Sequence, residues 1–62
     1  MPIVRVELYS GRTREQKARA AKEITEAVQR SLGVTAESTQ VIFTDVDRSD
    51  WATAGTLNDE KK

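Results

Sequence analysis

Residues 13–33 read TREQKARAAKEITEAVQRSLG, and both ends of a helix are encoded in this stretch. Thr13 followed by Gln16 forms a capping box, in which each side chain bonds an otherwise unpaired backbone N–H of the first turn. Gly33 stands where helices commonly end in the left-handed conformation. Apolar residues recur between them at helical spacing, namely Ala20, Ala21, Ile24, Ala27, Val28 and Leu32. The sequence therefore predicts a helix over 14–32 with one apolar face.

Two strand-like segments flank this helix. Residues 2–9, PIVRVELY, alternate apolar and charged side chains, and residues 39–46, TQVIFTDV, are rich in β-branched and aromatic residues. A crossover helix joins parallel strands, so we expect an α+β fold made of a single βαβ unit. Residues 51–57, around Trp51 and Gly55, suggest a short C-terminal hairpin. We expect one domain over 1–62, with 58–62 a polar tail that frays.

The size of the chain predicts an oligomer. It has 62 residues and no cysteine, so it can bury only a small core and cannot reinforce it with disulfides. Two parallel strands and one helix also leave the edges and one face of the sheet without partners. Association with other subunits is the remaining way to cover these surfaces.

Charge and hydropathy exclude several classes of partner. Ten basic side chains balance ten acidic ones, which argues against nucleic-acid binding. No apolar stretch is long enough to span a membrane, and the N-terminus lacks a signal-peptide pattern, so we expect a cytoplasmic protein. Residues 1–33 carry seven basic and four acidic side chains. This excess could favour a small anionic ligand, although solvated helix charges are the commoner explanation.

The residue types available for chemistry are few. Histidine and cysteine are absent, which removes the commonest metal ligands and the usual general base. Asp45, Asp47 and Asp50 are close in sequence but lack the glycine and terminal glutamate of a calcium loop. We interpret them as an acidic turn and expect no metal and no cofactor.

Pro2 is the most informative candidate. Removal of Met1 would leave proline at the N-terminus with a free secondary amine. The pKa of an α-amino group is about 7.7–8.0 in model peptides, and an apolar pocket lowers it further. Such an amine can act as a general base near neutral pH. If Met1 is retained, Pro2 is an amide and cannot act as a base; a proline at the start of a strand also needs no catalytic explanation.

Arg12 and Trp51 are the other two candidates. Arg12 follows Gly11 in a turn between the first strand and the helix, where a guanidinium can bind a carboxylate through two parallel hydrogen bonds. A solvated surface arginine is the alternative. Trp51 could form the wall of an apolar pocket or fill a core between subunits.

These features together resemble the 4-oxalocrotonate tautomerase family. The resemblance extends from Pro2 to about Leu57 and includes the Met-Pro start, Ser10-Gly11-Arg12-Thr13, Ile24-Thr25-Glu26-Ala27-Val28, Val41-Ile42-Phe43-Thr44 and Trp51. It implies βαβ subunits that assemble as hexamers, each a trimer of dimers. It also implies that Pro2 is the general base, that Arg12 binds a substrate carboxylate, and that Trp51 provides the hydrophobic wall. The implied substrate is a small anionic keto or enol acid.

Gln40 departs from the family pattern. The resemblance implies a second arginine at this position, supplied by another subunit to hold the reacting end of the substrate. Glutamine can donate a hydrogen bond to a carbonyl oxygen but brings no charge. The sequence leaves open a monocarboxylate substrate, a replacement cation such as Arg5 or Arg48, a non-catalytic subunit of a hetero-oligomer, and the hydratase or dehalogenase chemistry of the same superfamily.

Overall fold

The protein is described by a computed structural model covering residues 1–60. Its elements, in chain order, are strand β1 (Ile3–Tyr9), helix α1 (Arg14–Leu32), strand β2 (Gln40–Val46), a 3₁₀ helix (Arg48–Asp50), strand β3 (Ala52–Thr53) and strand β4 (Thr56–Leu57). This order confirms the predicted βαβ unit and C-terminal hairpin. The two long strands each begin one residue later than predicted.

β1 and β2 pair in parallel, from Ile3 opposite Gln40 to Tyr9 opposite Val46. The side chains of one sheet face pack against α1; among them are Val4, Val6, Leu8, Val41 and Phe43, all half-buried. An ion pair of 2.7 Å between Lys17 and Asp45 joins the helix to the end of β2. Both side chains are partly exposed, so this pair adds little to stability.

The helix has the ends that its sequence predicts. Thr13 accepts a hydrogen bond from the N–H of Gln16, and the Gln16 side chain accepts one from the N–H of Thr13. Gly33 closes the helix with φ 68°, in the left-handed region. The predicted apolar face is half-buried except at Leu32, which is 64% exposed. Leu32 is the last helical residue and lies beyond the apolar residues that the sheet covers.

The isolated subunit lacks a completed core. Among residues 1–60 no apolar side chain is fully buried. On the sheet face away from the helix, Ile3 is 48% exposed and Ile42 is 39% exposed. An open cleft of about 510 Å³ is also lined by Arg14 and Lys17 of the helix and by Val41 and Phe43 of β2. In one subunit, therefore, β2 is covered on one face only.

No helix within residues 1–60 is long and apolar enough to cross a membrane. The cytoplasmic location expected from the sequence stays a prediction.

The hairpin has the tight turn that its length requires, whereas the residue after it differs from expectation. Ala54 and Gly55 both have positive φ, 53° and 83°, as a tight turn of the I′ type requires. Asn58, predicted to begin a frayed tail, is only 6% exposed and is the most buried of residues 1–60. Its N–H donates to the carbonyl of Trp51 at 2.8 Å, which anchors it. Lys61 and Lys62, the end of the predicted tail, lie outside the described residues.

Candidate active site

Pro2 and Gln40 lie together at the amino end of the parallel sheet. The backbone N–H of Gln40 donates to the carbonyl of Pro2 at 3.0 Å. The side-chain nitrogen of Gln40 reaches the sulfur of Met1 at 3.7 Å, a weak contact because thioether sulfur is a poor acceptor. Pro2 is half-buried while Met1 is 83% exposed. An amide donor thus stands beside the N-terminal residue.

Arg12 lies at the opposite end of the sheet, between β1 and α1. Gly11 before it has φ 117°, a conformation that side chains of L-residues rarely adopt, so the turn that leads to Arg12 needs glycine. Arg12 is exposed and lines a small cavity of about 120 Å³ with Leu8, Phe43 and residues of the first helical turns. It immediately precedes the helix N-cap, where the helix dipole favours an anion.

Trp51 also lies at the carboxyl end of the strands. Its ring packs edge-on against Tyr9, with centroids 4.8 Å apart and an interplanar angle of 60°. It borders a cavity of about 210 Å³ to which Glu7 and Asp50 contribute carboxylates. Trp51 is half-buried, so part of its surface remains available to form a wall.

The 3₁₀ helix before Trp51 begins with a side-chain cap. Asp47 accepts hydrogen bonds from both the hydroxyl and the backbone N–H of Ser49. These bonds, the hydroxyl bond foremost, hold the pKa of the Asp47 carboxyl below its usual value, because they favour the ionised form. The acidic turn predicted from sequence therefore caps this helix. Within residues 1–60, no group of three or more acidic side chains is arranged to hold a metal.

The two cations considered as substitutes for the missing arginine have different surroundings. Arg48 lies over the ring of Tyr9, with the guanidinium carbon 4.7 Å from the ring centroid. Arg5 pairs with Ile42 in the sheet register and is exposed on the face away from the helix. Arg48 is thus at the Trp51 end of the sheet, whereas Arg5 lies two residues along β1 from Ile3, the residue opposite Gln40.

One subunit does not bring the four candidate residues together. Pro2 and Gln40 are at the amino end of the sheet, and Arg12 and Trp51 are at the carboxyl end. The seven-residue strand between them spans about 20 Å at roughly 3.3 Å per residue. This exceeds the reach of a small substrate, so the four residues can share a site only across subunits.

Sequence reasoning missed Tyr9 and Asn58. The side-chain nitrogen of Asn58 donates a hydrogen bond to the hydroxyl of Tyr9, and both residues contact Trp51. Tyr9 ends an alternating strand, and its pairing with a residue 49 positions away has no local signal. Asn58 lies in a polar segment that resembles an exposed tail.

Comparison with known proteins identifies the family. The sequence model described as "Tautomerase enzyme" matches residues 2–60. The chain belongs to the tautomerase family. A probable tautomerase from Streptococcus pneumoniae is 42% identical over 57 residues, which cover 92% of this chain and 95% of that protein. A 2-hydroxymuconate tautomerase from Pseudomonas putida is 35% identical over 57 residues, covering 92% and 90%.

Solved structures of tautomerases share the fold of this chain. A crystal structure of a 4-oxalocrotonate tautomerase homologue has a TM-score of 0.90 and 35% identity, covering 100% of this chain and 98% of its own. A heterohexamer 4-oxalocrotonate tautomerase from Chloroflexus aurantiacus has a TM-score of 0.93 and 26% identity, with both chains fully covered. The tautomerase resemblance and the α+β architecture predicted from the sequence are therefore confirmed. The roles of Pro2, Arg12, Gln40 and Trp51 stay predictions.

Proposed function

We propose that this chain is a cofactor-independent tautomerase that ketonises a small enol or dienol carboxylic acid. Its general base is the secondary amine of Pro2, which becomes the N-terminus when Met1 is removed. The observation that carries the proposal is the position of Pro2, which is half-buried at the amino end of the sheet and whose carbonyl accepts a hydrogen bond from the backbone N–H of Gln40. Membership of the tautomerase family supports it.

The reaction moves one proton and needs no outside reagent. The neutral amine takes the proton of the enol hydroxyl, and the electrons of that O–H bond form the carbonyl. The double bonds shift along the conjugated chain, and the ammonium returns its proton to the far carbon. Gln40 donates a hydrogen bond to the oxygen on which charge develops, which stabilises the transition state.

Arg12 and Trp51 act on the rest of the substrate. The guanidinium of Arg12 binds the carboxylate in a two-point contact and draws electron density towards it. Trp51 keeps water from the amine, and an apolar surrounding disfavours the charged ammonium. Proline therefore remains neutral at a pH where an exposed amine is largely protonated.

The site is completed by other subunits of a homo-oligomer, which we propose to be a hexamer built as a trimer of dimers. The separation of Pro2 from Arg12 along β1 supports this assembly, as do the exposed Ile3 and Ile42. Residues of two subunits converge when one subunit's amino end meets another's carboxyl end. The similarity to a heterohexamer is consistent with six subunits.

An ultraviolet assay of 2-hydroxymuconate ketonisation tests the proposed activity. The protein used must have an intact mass without Met1. Phenylenolpyruvate, a monocarboxylate enol, serves as the second substrate. Absence of a rate with both substrates contradicts the proposal.

Replacement of Arg12 by alanine is expected to raise KM about 10- to 100-fold, the value of a charge-assisted hydrogen bond. Arg12→Lys keeps the charge but loses the two-point geometry, so its KM is expected to lie between that of the unchanged protein and that of Arg12→Ala. Arg19→Ala is the matched control, because the Arg19 side chain is 84% exposed on α1 and has no proposed role. Steady-state kinetics measure all three. Equal KM values for Arg12→Ala and Arg19→Ala would remove Arg12 from the site.

Mixed oligomers test whether subunits share the site. The Pro2→Ala and Arg12→Ala variants are each expected to be impaired, and are refolded together in equal amounts. If Pro2 and Arg12 of one site come from different subunits, random mixing restores about a quarter of the sites. If both come from one chain, mixing restores none. Activity of the mixture, compared with the two variants refolded separately, distinguishes these arrangements.

A non-catalytic subunit of a hetero-oligomer is the second candidate function. Gln40 favours it because the position lacks the charge that the family resemblance implies. Hydratase or dehalogenase chemistry is a further alternative that needs a carboxylate to activate water, and Glu7 and Asp50 border the cavity beside Trp51. Product analysis distinguishes these functions, because a hydratase adds water to its substrate whereas a non-catalytic subunit leaves the substrate unchanged.

A further inference from the structure

Three side chains converge on Tyr9 at the end of β1. The Trp51 ring meets it edge-on, the Arg48 guanidinium lies over it, and the Asn58 amide donates to its hydroxyl. Trp51 and Asn58 lie at the two ends of the hairpin formed by β3 and β4. Tyr9 is therefore the point at which the hairpin is attached to the parallel sheet.

The hairpin needs this attachment because it is too short to stand alone. Each of its strands has two residues, and a two-stranded hairpin is marginally stable at best in water. A hydrogen bond of 2.8 Å from the N–H of Asn58 to the carbonyl of Trp51 closes its base. The orientation of Trp51 consequently depends on how firmly Asn58 is held.

The buried side chain of Asn58 depends on Tyr9 for its hydrogen bond. Asn58 is 6% exposed, and its side-chain oxygen has no hydrogen-bond partner within the part of the chain that the structure describes. The contact with Tyr9 is thus the side chain's one hydrogen bond among these residues. Without the tyrosine hydroxyl, a buried amide would be left unpaired, which disfavours its present position.

We propose that Tyr9 and Asn58 are positioning residues that hold Trp51 in place as the wall of the active site. Neither touches the reacting atoms in this scheme. The catalytic consequence rests on the proposed function, whereas the placement of Trp51 does not. Loss of the hydroxyl lets the hairpin shift, so that water reaches the surface that Trp51 covers.

Tyr9→Phe is the sharpest test, because it removes one oxygen and keeps the ring that Trp51 and Arg48 contact. Trp51 is the chain's only tryptophan, so its fluorescence reports on the hairpin directly. We expect greater quenching by acrylamide in Tyr9→Phe than in the unchanged protein. We also expect kcat to fall about fivefold to tenfold, the value of one hydrogen bond, with little change in KM. The pKa seen in the acid limb of the pH–rate profile should move up, towards that of an exposed amine.

Asn58→Leu removes the donor of the same hydrogen bond. If Tyr9→Phe fails to assemble, Asn58→Leu takes its place in the test. If both assemble, the double variant should be no worse than the more impaired single one, because the two changes delete a single interaction. Asp59→Asn, at the exposed neighbouring position, is the control and should behave like the unchanged protein. Unchanged quenching and an unchanged pH–rate profile in Tyr9→Phe would overturn the proposal. If no preparation ketonises substrate, the proposed function fails, while quenching still tests the positioning of Trp51.

Discussion

Protein that begins at Pro2 is expected to ketonise 2-hydroxymuconate, while the same chain with Met1 retained loses about 10²- to 10⁴-fold in kcat/KM, the usual contribution of a general base. Retention converts the secondary amine into a tertiary amide. The nitrogen lone pair is then delocalised into the carbonyl, so no base remains to take the enol proton. Both preparations can be made from a cleavable fusion, and intact mass identifies each.

This comparison changes the N-terminus and no side chain beyond Met1. Circular dichroism and native mass spectrometry check that both forms fold and assemble alike. The Pro2→Ala variant with Met1 removed is a useful third form, since it retains an amine but not the ring. Equal rates with and without Met1 would exclude Pro2 as the base. Absence of activity in a correctly processed, assembled protein would instead favour the non-catalytic subunit.

The helix was fully predictable from its sequence, and the reason is local. Thr13, Gln16 and Gly33 each act within one turn of the helix end that they define. The two helix ends can therefore be predicted without knowledge of any distant contact. Strand β1 is predictable for a similar reason, because alternation over seven residues is a short-range pattern. Strand β2 is predictable from its concentration of β-branched and aromatic residues. The exposure of Leu32 is not predictable in this way, because it depends on whether the sheet covers the last turn of the helix.

The sequence indicates candidate residues for the site but not their arrangement. Pro2, Arg12 and Trp51 are candidates because of their chemistry, yet strand direction puts Pro2 at one end of the sheet and the other two at the opposite end. The spacing of residues in the sequence does not show which end of one subunit's sheet lies next to which end of another subunit's sheet. The role of Tyr9 was hidden for a related reason, because Asn58 reaches it only after the hairpin has folded back.

Replacement of Gln40 by arginine is expected to raise kcat/KM for 2-hydroxymuconate about 10- to 100-fold, because a charge-assisted hydrogen bond is roughly twice as strong as a neutral one. The developing enolate oxygen and the neighbouring carboxylate both gain from the added charge. Phenylenolpyruvate carries its single carboxylate beside the enol oxygen, where residue 40 is proposed to act, so we expect a similar gain with this substrate and little change in the ratio of the two kcat/KM values. The backbone hydrogen bond from Gln40 to Pro2 is unaffected by the side chain, so the strand pairing is retained.

Gln40→Leu provides the opposite change at similar volume. It removes the donor without adding charge, and we expect it to lower kcat for both substrates about 10²-fold, as loss of one oxyanion donor does. Steady-state kinetics on both variants therefore show whether the side chain of residue 40 acts in the site or lies outside it. If leucine is as active as glutamine and arginine improves neither substrate, residue 40 lies outside the site, and the missing cation must be supplied elsewhere. Arg48 is then the first residue to test, because the ring of Tyr9 already holds its guanidinium at the Trp51 end of the sheet.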